Sequence, residues 1–282
     1  MHRFQEGLMR RFPALPALAL LLVFVFACAK VPLTGRSQLN LVSSSEMLSM
    51  SEQQYHEFLQ EHPPSKDAAG TTQVRRVGGR IQKAVERYMN DNGYGNRMQG
   101  YQWQFNLVDD QQVNAWCMPG GRVVVYSGLL PVARDDAGLA VVMGHEIAHA
   151  VAEHGAERMS QGMMAQLGGI ALSEALKTHP AETQNLWLQA YAVGAQYGAM
   201  LPFSRVQESE ADHLGIIFMA MAGYDPKTAA EFWKRMAAAK QGSGAPPEWL
   251  STHPADETRI KNLEALIPEA MKYYTPSTSA AD

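Results

Sequence analysis

Cysteine is almost missing from this chain: among 282 residues only Cys28 and Cys117 carry a thiol. A disulfide framework needs several pairs, so packing rather than covalent bridging must hold the fold. Clusters of Lys and Arg with interleaved aromatics are also missing, and the net charge is −4, which excludes a nucleic-acid partner. Charged residues make up only 18% against 46% hydrophobic, a balance that points to a packed core and away from disorder. No repeat of solenoid length is present. Apolar runs of membrane-spanning length are absent too. The longest, residues 14–27, is shorter than the roughly 20 residues that a spanning helix needs.

What is present begins with that run. Arg3, Arg10 and Arg11 precede it, giving the basic-then-apolar order of a secretory signal. It stops at Cys28 in "VFACAK", which resembles the lipobox of bacterial lipoproteins. That resemblance implies lipidation of Cys28, a membrane-attached N-terminus and an unpaired Cys117. Ala29, rather than Asp, follows Cys28, which favours the outer membrane over the inner. The expected division is a signal peptide at 1–27, a lipidated Cys and linker at 28–43, a catalytic domain at 44–270 and a tail at 271–282.

Within the domain, Ser43 and Glu46 have capping-box spacing and Pro63-Pro64 closes the first helix. Val74, Val77, Ile81, Val85 and Tyr88 recur at helical spacing in a second. Trp103, Phe105 and Leu107 alternate as in a strand, and a Pro-Gly-Gly turn precedes the β-branched run 123–125, together predicting a small antiparallel sheet. Asp135-Asp136 can cap a long apolar helix. Residues 159–201, rich in Met, Ala and Gly, read as buried core helices, with a lid or membrane-facing role as the alternative. Pro202 is expected to break them, and an acidic helix follows. The fold class is α+β, mainly helical, in a single catalytic domain.

"HEIAH" at residues 145–149 carries the chemistry. Residues four apart share a helix face, so His145 and His149 can reach one ion. Zinc accepts neutral imidazoles in tetrahedral geometry, and Glu146 beside it can take a proton from an attacking water and return it to the leaving amine. Burying these polar groups in an apolar helix with no metal would cost several kcal/mol. One zinc ion per chain is the resulting expectation. A third ligand must come from elsewhere, and the candidates are His154, His179, His213, His253 and an acidic cluster downstream. His154 lies five residues past His149, about 140° further round a continuous helix. His179 precedes a proline. In "RVQESEADHLGI", Glu208 and Asp212 share a face while Glu210 points about 200° away and is expected in solvent. Geometry leaves Glu208 and Asp212 as equal candidates.

"HEIAH" followed by "ESEAD", with "NAWCMPGGRVVVYSGLL", "LPFSRVQESEAD" and "STHPADETRI", resembles gluzincin metallopeptidases of the CAAX prenyl-protease type; "VPLTGRSQL" is similar to lipoprotein members of that family. The chain departs from them at Trp116-Cys117, where members often carry Phe-Ala. The resemblance implies a zincin-type fold with Glu208 as third zinc ligand and Asp212 as the supporting carboxylate, sometimes assigned as a proton donor. It also implies a role near the metal for His253, which stabilises the reaction's intermediate or caps the zinc at rest. Arg259 either pairs with a second acid or stands exposed on its helix. Val123, Val124 and Val125 would form a substrate-aligning edge strand, which implies unfolded or flexible polypeptide substrates. The implied function is a zinc metalloendopeptidase in quality control of misfolded envelope proteins on the periplasmic face of a bacterial membrane. Two rivals stand beside it: a chaperone-like or scaffold lipoprotein with latent protease activity, and intramembrane prenyl-protein processing, which the lack of long apolar segments disfavours.

Overall fold

The chain enters the fold through a hairpin. Strands β1 (Cys28–Lys30) and β2 (Ser37–Leu39) pair antiparallel around a turn whose backbone is left-handed at Leu33 and Gly35. The computed structural model describes residues 28–242, 248–254 and 257–276, so the expected signal segment and residues 277–282 of the expected tail lie outside it. Residues 28–43, expected as a linker, are instead part of the body. Val31 is fully buried in the main core, Leu41 N–H donates to Ser160 Oγ (2.9 Å) and Asn40 Nδ2 donates to Glu153 (2.8 Å).

Helix α1 (Ser44–Glu61) starts at Ser43 with the full capping box to Glu46, as the spacing predicts. Helix α2 (Ala68–Asp91) is capped by Asp67 and buries the predicted stripe Val74, Val77, Ile81, Val85 and Tyr88. Strands β3 (Gln104–Val108), β4 (Ala115–Met118) and β5 (Arg122–Tyr126) follow. Their order is β3-β5-β4. The β4–β5 pair is the expected antiparallel hairpin, turning at Gly120 and Gly121 with φ of 87° and 80°, but β3 and β5 run parallel. The sheet is therefore mixed.

This corrects the expectation for Val123, Val124 and Val125. Their strand is central, hydrogen-bonded on both sides, and all three are fully buried. Val123 and Val125 face the main core, while Val124 packs with Tyr55, Val108 and Tyr126 under α1. Burial on both faces needs a continuous apolar run, not an alternating one. Among the described residues the sheet's edges are β3 and β4.

After the short α3 (Leu130–Ala133), Asp135 caps α4 (Asp136–Val151) by accepting Gly138 N–H at 2.8 Å. Helix α4 is buried along almost its whole length, with β4 running beside it. It ends sooner than expected: Glu153 adopts left-handed backbone (φ 59°), and His154 begins α5 (His154–Ala175) in a new direction. Helix α6 (Ala181–Ala195) continues through a π-helical turn at Gln196–Met200 into α7 (Leu201–Met221), so Pro202 does not interrupt the chain. The expected core role of 159–201 is not what the structure has. Leu167, Ile170, Leu186 and Tyr197 are 57%, 58%, 67% and 64% exposed, and α6 buries no residue fully. Among the described residues no helix is long and apolar enough to cross a membrane. Helices α8 (Lys227–Gly242), α9 (Glu248–Thr252) and α10 (Glu257–Ala270) complete the fold, with α10 packed on α7 and α8.

The site depends on how α4 meets α7. The two cross at Gly144 and Gly215, where a methyl on Gly215 would lie 3.0 Å from the backbone nitrogen of His145. Only two glycines admit so close an approach, and it brings the acidic face of α7 to the histidines of α4.

Candidate metal centre

Helix spacing and this crossing converge three side chains, and the turn after α9 adds a fourth. His145 Nε2 and His149 Nε2 lie 3.1 Å apart, and Glu208 reaches them with Oε2 at 3.3 Å and Oε1 at 3.2 Å respectively. A tetrahedral zinc with bonds of about 2.0–2.1 Å holds its ligand atoms roughly 3.3 Å apart, so these three separations match three corners of one coordination sphere. His253, on the turn after α9, brings Nδ1 to 2.8 Å from Glu208 Oε2 and 3.1 Å from His145 Nε2, near the fourth corner. Ligand atoms of all four residues fall within 4.8 Å of one another. Two imidazoles plus one carboxylate, with a further position beside them, is a donor set suited to catalytic zinc. The residues fit the metal.

The electrostatics favour a cation. Burial alone would raise the Glu208 carboxyl, but contacts with His145, His149 and His253 hold it far below the ordinary carboxylate range. Burial pushes His149 well below the usual imidazole range, keeping it neutral as a ligand must be. Burial opposes charge on His145 as well, yet Asp212 and Glu208 outweigh it and raise its pKa to about 9.

Behind these groups lies a supporting layer. His145 Nδ1 meets Asp212 Oδ1 at 3.0 Å, and Asp212 accepts two hydrogen bonds from Arg259 (2.8 and 2.7 Å). The Arg259 guanidinium also lies 3.5 Å over the Trp233 ring and reaches Glu208 at 3.2 Å. Asp212 therefore meets His145 on the side away from the cluster, and Arg259 is buried rather than an exposed helix residue. Glu146 is buried next to the cluster; Trp249 Nε1–H donates to its Oε1 at 2.7 Å, and His253 Nε2 lies 3.5 Å away. Beside His149 a cavity opens between β4 and the N-terminal segment, lined by Met47, Leu48, Tyr101, Cys117 and Ala150. Burial raises the Cys117 thiol well above its usual pKa.

Sequence reasoning missed several of these groups. Glu210, expected in solvent, is only 4% exposed and bonded to Thr34, Arg36 and His154. His154 is fully buried with its Nδ1 2.9 Å from His149 Nδ1, a placement that the break at Glu153 makes possible. Trp249 was findable, since it stands four residues before His253 and so on the same helical face. His179 and His213 take no part in the cluster.

This centre, on a mostly helical fold with a small mixed sheet, is that of a metallopeptidase. Residues 76–267 match the family described as Peptidase family M48, and the chain belongs to it. It is 34% identical over 260 residues to the mitochondrial metalloendopeptidase OMA1 of Bos taurus, covering 90% of this chain and 49% of that one. It is 33% identical over 247 residues to mitochondrial metalloendopeptidase OMA1 of Schizosaccharomyces pombe, covering 85% and 66%. With a beta-barrel assembly-enhancing protease of Yersinia pestis it shares 32% over 179 residues, covering 62% and 37%. The chain thus spans between a third and two thirds of the length of these relatives.

Proposed function

We propose that this protein is a zinc-dependent metalloendopeptidase acting on unfolded or flexible polypeptides of a bacterial cell envelope. The observation that carries the reading is the near-tetrahedral set His145, His149 and Glu208 with Glu146 held alongside by Trp249. Zinc bound there supplies Lewis-acid activation of water and of the peptide carbonyl. Glu146 accepts the proton of the attacking water and delivers it to the leaving amine. Trp249 fixes the carboxylate oxygen that does this. Asp212, clamped by Arg259, holds His145 at Nδ1, which would leave Nε2 to take the metal. His253 stands where it either caps the zinc at rest or, moved aside, donates to the oxygen that becomes charged during attack.

An extended substrate would pair with β4, the sheet edge beside α4, rather than with the buried β5. Main-chain pairing reads little sequence, which suits damaged or unassembled proteins. The envelope setting rests on the basic-apolar N-terminus and Cys28, and the name of the Yersinia relative agrees with it. The finer placement in the CAAX prenyl-protease type and its lipoprotein branch, with Cys28 lipidated, rests on the motifs "HEIAH…ESEAD" and "VFACAK".

The test is Glu146→Gln measured beside wild type on a casein-type unfolded substrate. Zinc content should stay at one per chain while cleavage falls by about 100-fold or more. Undiminished cleavage by the zinc-loaded variant would overturn the mechanism. Partner binding that survives both the substitution and chelation, with no cleavage in wild type, would favour a scaffold instead.

A further inference from the structure

The two ligand histidines are supported differently. His145 turns Nδ1 directly to a carboxylate, Asp212, whereas His149 turns Nδ1 to another imidazole. That contact has a direction. A histidine that offers Nε2 to a metal carries its proton on Nδ1, so His149 donates and His154 Nδ1 accepts at 2.9 Å. His154 then carries its proton on Nε2, which faces Glu210 Oε2 at 3.2 Å. Along this relay from His149 to Glu210 each donor meets an acceptor.

Glu210 is in turn held from outside the domain that matches the family. Its Oε1 accepts from Thr34 Oγ1 (2.7 Å) and Arg36 Nε (2.9 Å), and its Oε2 accepts from Arg36 Nη2 (2.9 Å). The same guanidinium bonds both oxygens of Glu157 on α5, at 2.6 and 2.8 Å. Glu157 and Glu210 are 1% and 4% exposed, so Arg36 is the cation that lets two carboxylates from separate helices be buried together. Thr34 and Arg36 lie in the turn and start of the β1–β2 hairpin, before the family-matched residues 76–267.

We propose that Thr34 and Arg36 are positioning residues for the metal centre, fixing the ring of His149 through Glu210 and His154. The N-terminal hairpin is then a strap whose docking sets how tightly the metal is held, and the segment nearest the chain's entry into the fold becomes part of the active-site support. The inference rests on the zinc reading above, and its test separates the two.

The experiment is a double-mutant cycle on the full chain, read as the zinc dissociation constant from competition with a chromophoric chelator. Folding of each variant is checked by its circular-dichroism melt in excess chelator. His154→Leu should weaken zinc binding by about 10- to 100-fold, and His154→Gln, whose amide can accept from His149 and donate to Glu210, should restore most of it. Thr34→Val should weaken binding measurably in the wild-type background and not at all in the His154→Leu background, because Thr34 acts only through His154. Arg36→Met should weaken it more than Thr34→Val; if that variant does not fold, the Thr34 and His154 variants still decide. Equal effects of Thr34→Val in both backgrounds, or a His154→Leu affinity within twofold of wild type, would overturn the relay. Failure of wild type to bind zinc would instead overturn the function reading.

Discussion

Adding one methyl group at Gly215 tests how the metal centre is assembled. A Cβ there would lie 3.0 Å from His145 N and 3.1 Å from both Gly144 C and His145 Cα. Unstrained carbon contacts sit at about 3.5–4.0 Å, so α4 and α7 must part by roughly half an ångström. The atoms in the way are backbone, so no side chain can rotate to absorb the change. Helix propensity favours alanine over glycine by about 0.8–1 kcal/mol, while overpacking a tight core costs about 1–3 kcal/mol. With three backbone contacts the upper part of that range applies, and Gly215→Ala should lose about 1–2 kcal/mol net.

The same displacement acts on function. His145 is the residue pushed, and Glu208 stands about two turns back along α7 from the crossing, so their 3.3 Å separation widens. Zinc affinity should fall together with stability. The assay pairs thermal melts with chelator competition, and Gly79→Ala is the control, since a methyl there meets nothing within 4 Å. The control should gain about 0.5–1 kcal/mol. A Gly215→Ala protein that melts at or above wild type with unchanged zinc affinity would refute the argument that the glycine crossing sets the ligand geometry.

Other outcomes follow from the ligand sphere. Glu208→Ala should copurify with little zinc, whereas Asp212→Ala, which removes support for His145 but no ligand, should keep zinc with affinity lower by about 10- to 100-fold; metal analysis after desalting checks the pair, and greater loss in the Asp212 variant would reverse the assignment. Trp249→Phe retains an aromatic ring against Trp233 but loses the N–H that donates to Glu146 at 2.7 Å. Since such a bond to a carboxylate contributes about 1.5–3 kcal/mol, kcat should drop on the order of tenfold or more with zinc content unchanged, and an unaltered kcat would show that Trp249 serves only packing.

The convergence of these side chains was legible because helix geometry converts spacing into position, although only the family resemblance separated Glu208 from Asp212. His145 and His149 are four apart on a buried helix, and Glu208 and Asp212 are four apart on the helix that crosses it; the structure places both pairs on the facing sides. The same rule placed Glu210 correctly on the opposite side of α7. It failed only in equating that side with solvent, for α5 and the N-terminal hairpin cover it. His154 stays outside the cluster, as its spacing implies, but its place behind His149 was not foreseen, for a different reason. The angle of about 140° from His149 assumes one unbroken helix, and the break comes at Glu153, a glutamate in left-handed backbone that no glycine or proline announces. The β5 strand carried a signal that points to its true place: Val123, Val124 and Val125 form an unbroken apolar run, which fits a strand covered on both faces better than a free edge. Residues 28–43 offered no such signal, since strands of three residues show no periodicity and Arg36 finds its partners over a hundred positions away.

The errors over Glu210 and over residues 28–43 share a direction. Both underestimated how much of the centre's support comes from charged groups buried behind the ligands. Arg259 neutralises Asp212 behind His145, and Arg36 neutralises Glu210 and Glu157 behind His154 and His149. Burying four carboxylates around one cation site would be prohibitive without such partners; Arg259 meets Asp212 through two hydrogen bonds and Arg36 meets Glu210 and Glu157 through two each, the geometry that also fixes orientation. One arginine arrives from α10, near the end of the described chain, and the other from the hairpin at its beginning. The metal-binding geometry of α4 and α7 is therefore completed only when both ends of the domain have docked. A chain folded in its middle alone would hold the ligand residues but leave the charges behind them unpaired, and such a chain should neither bury the ligands nor bind zinc tightly.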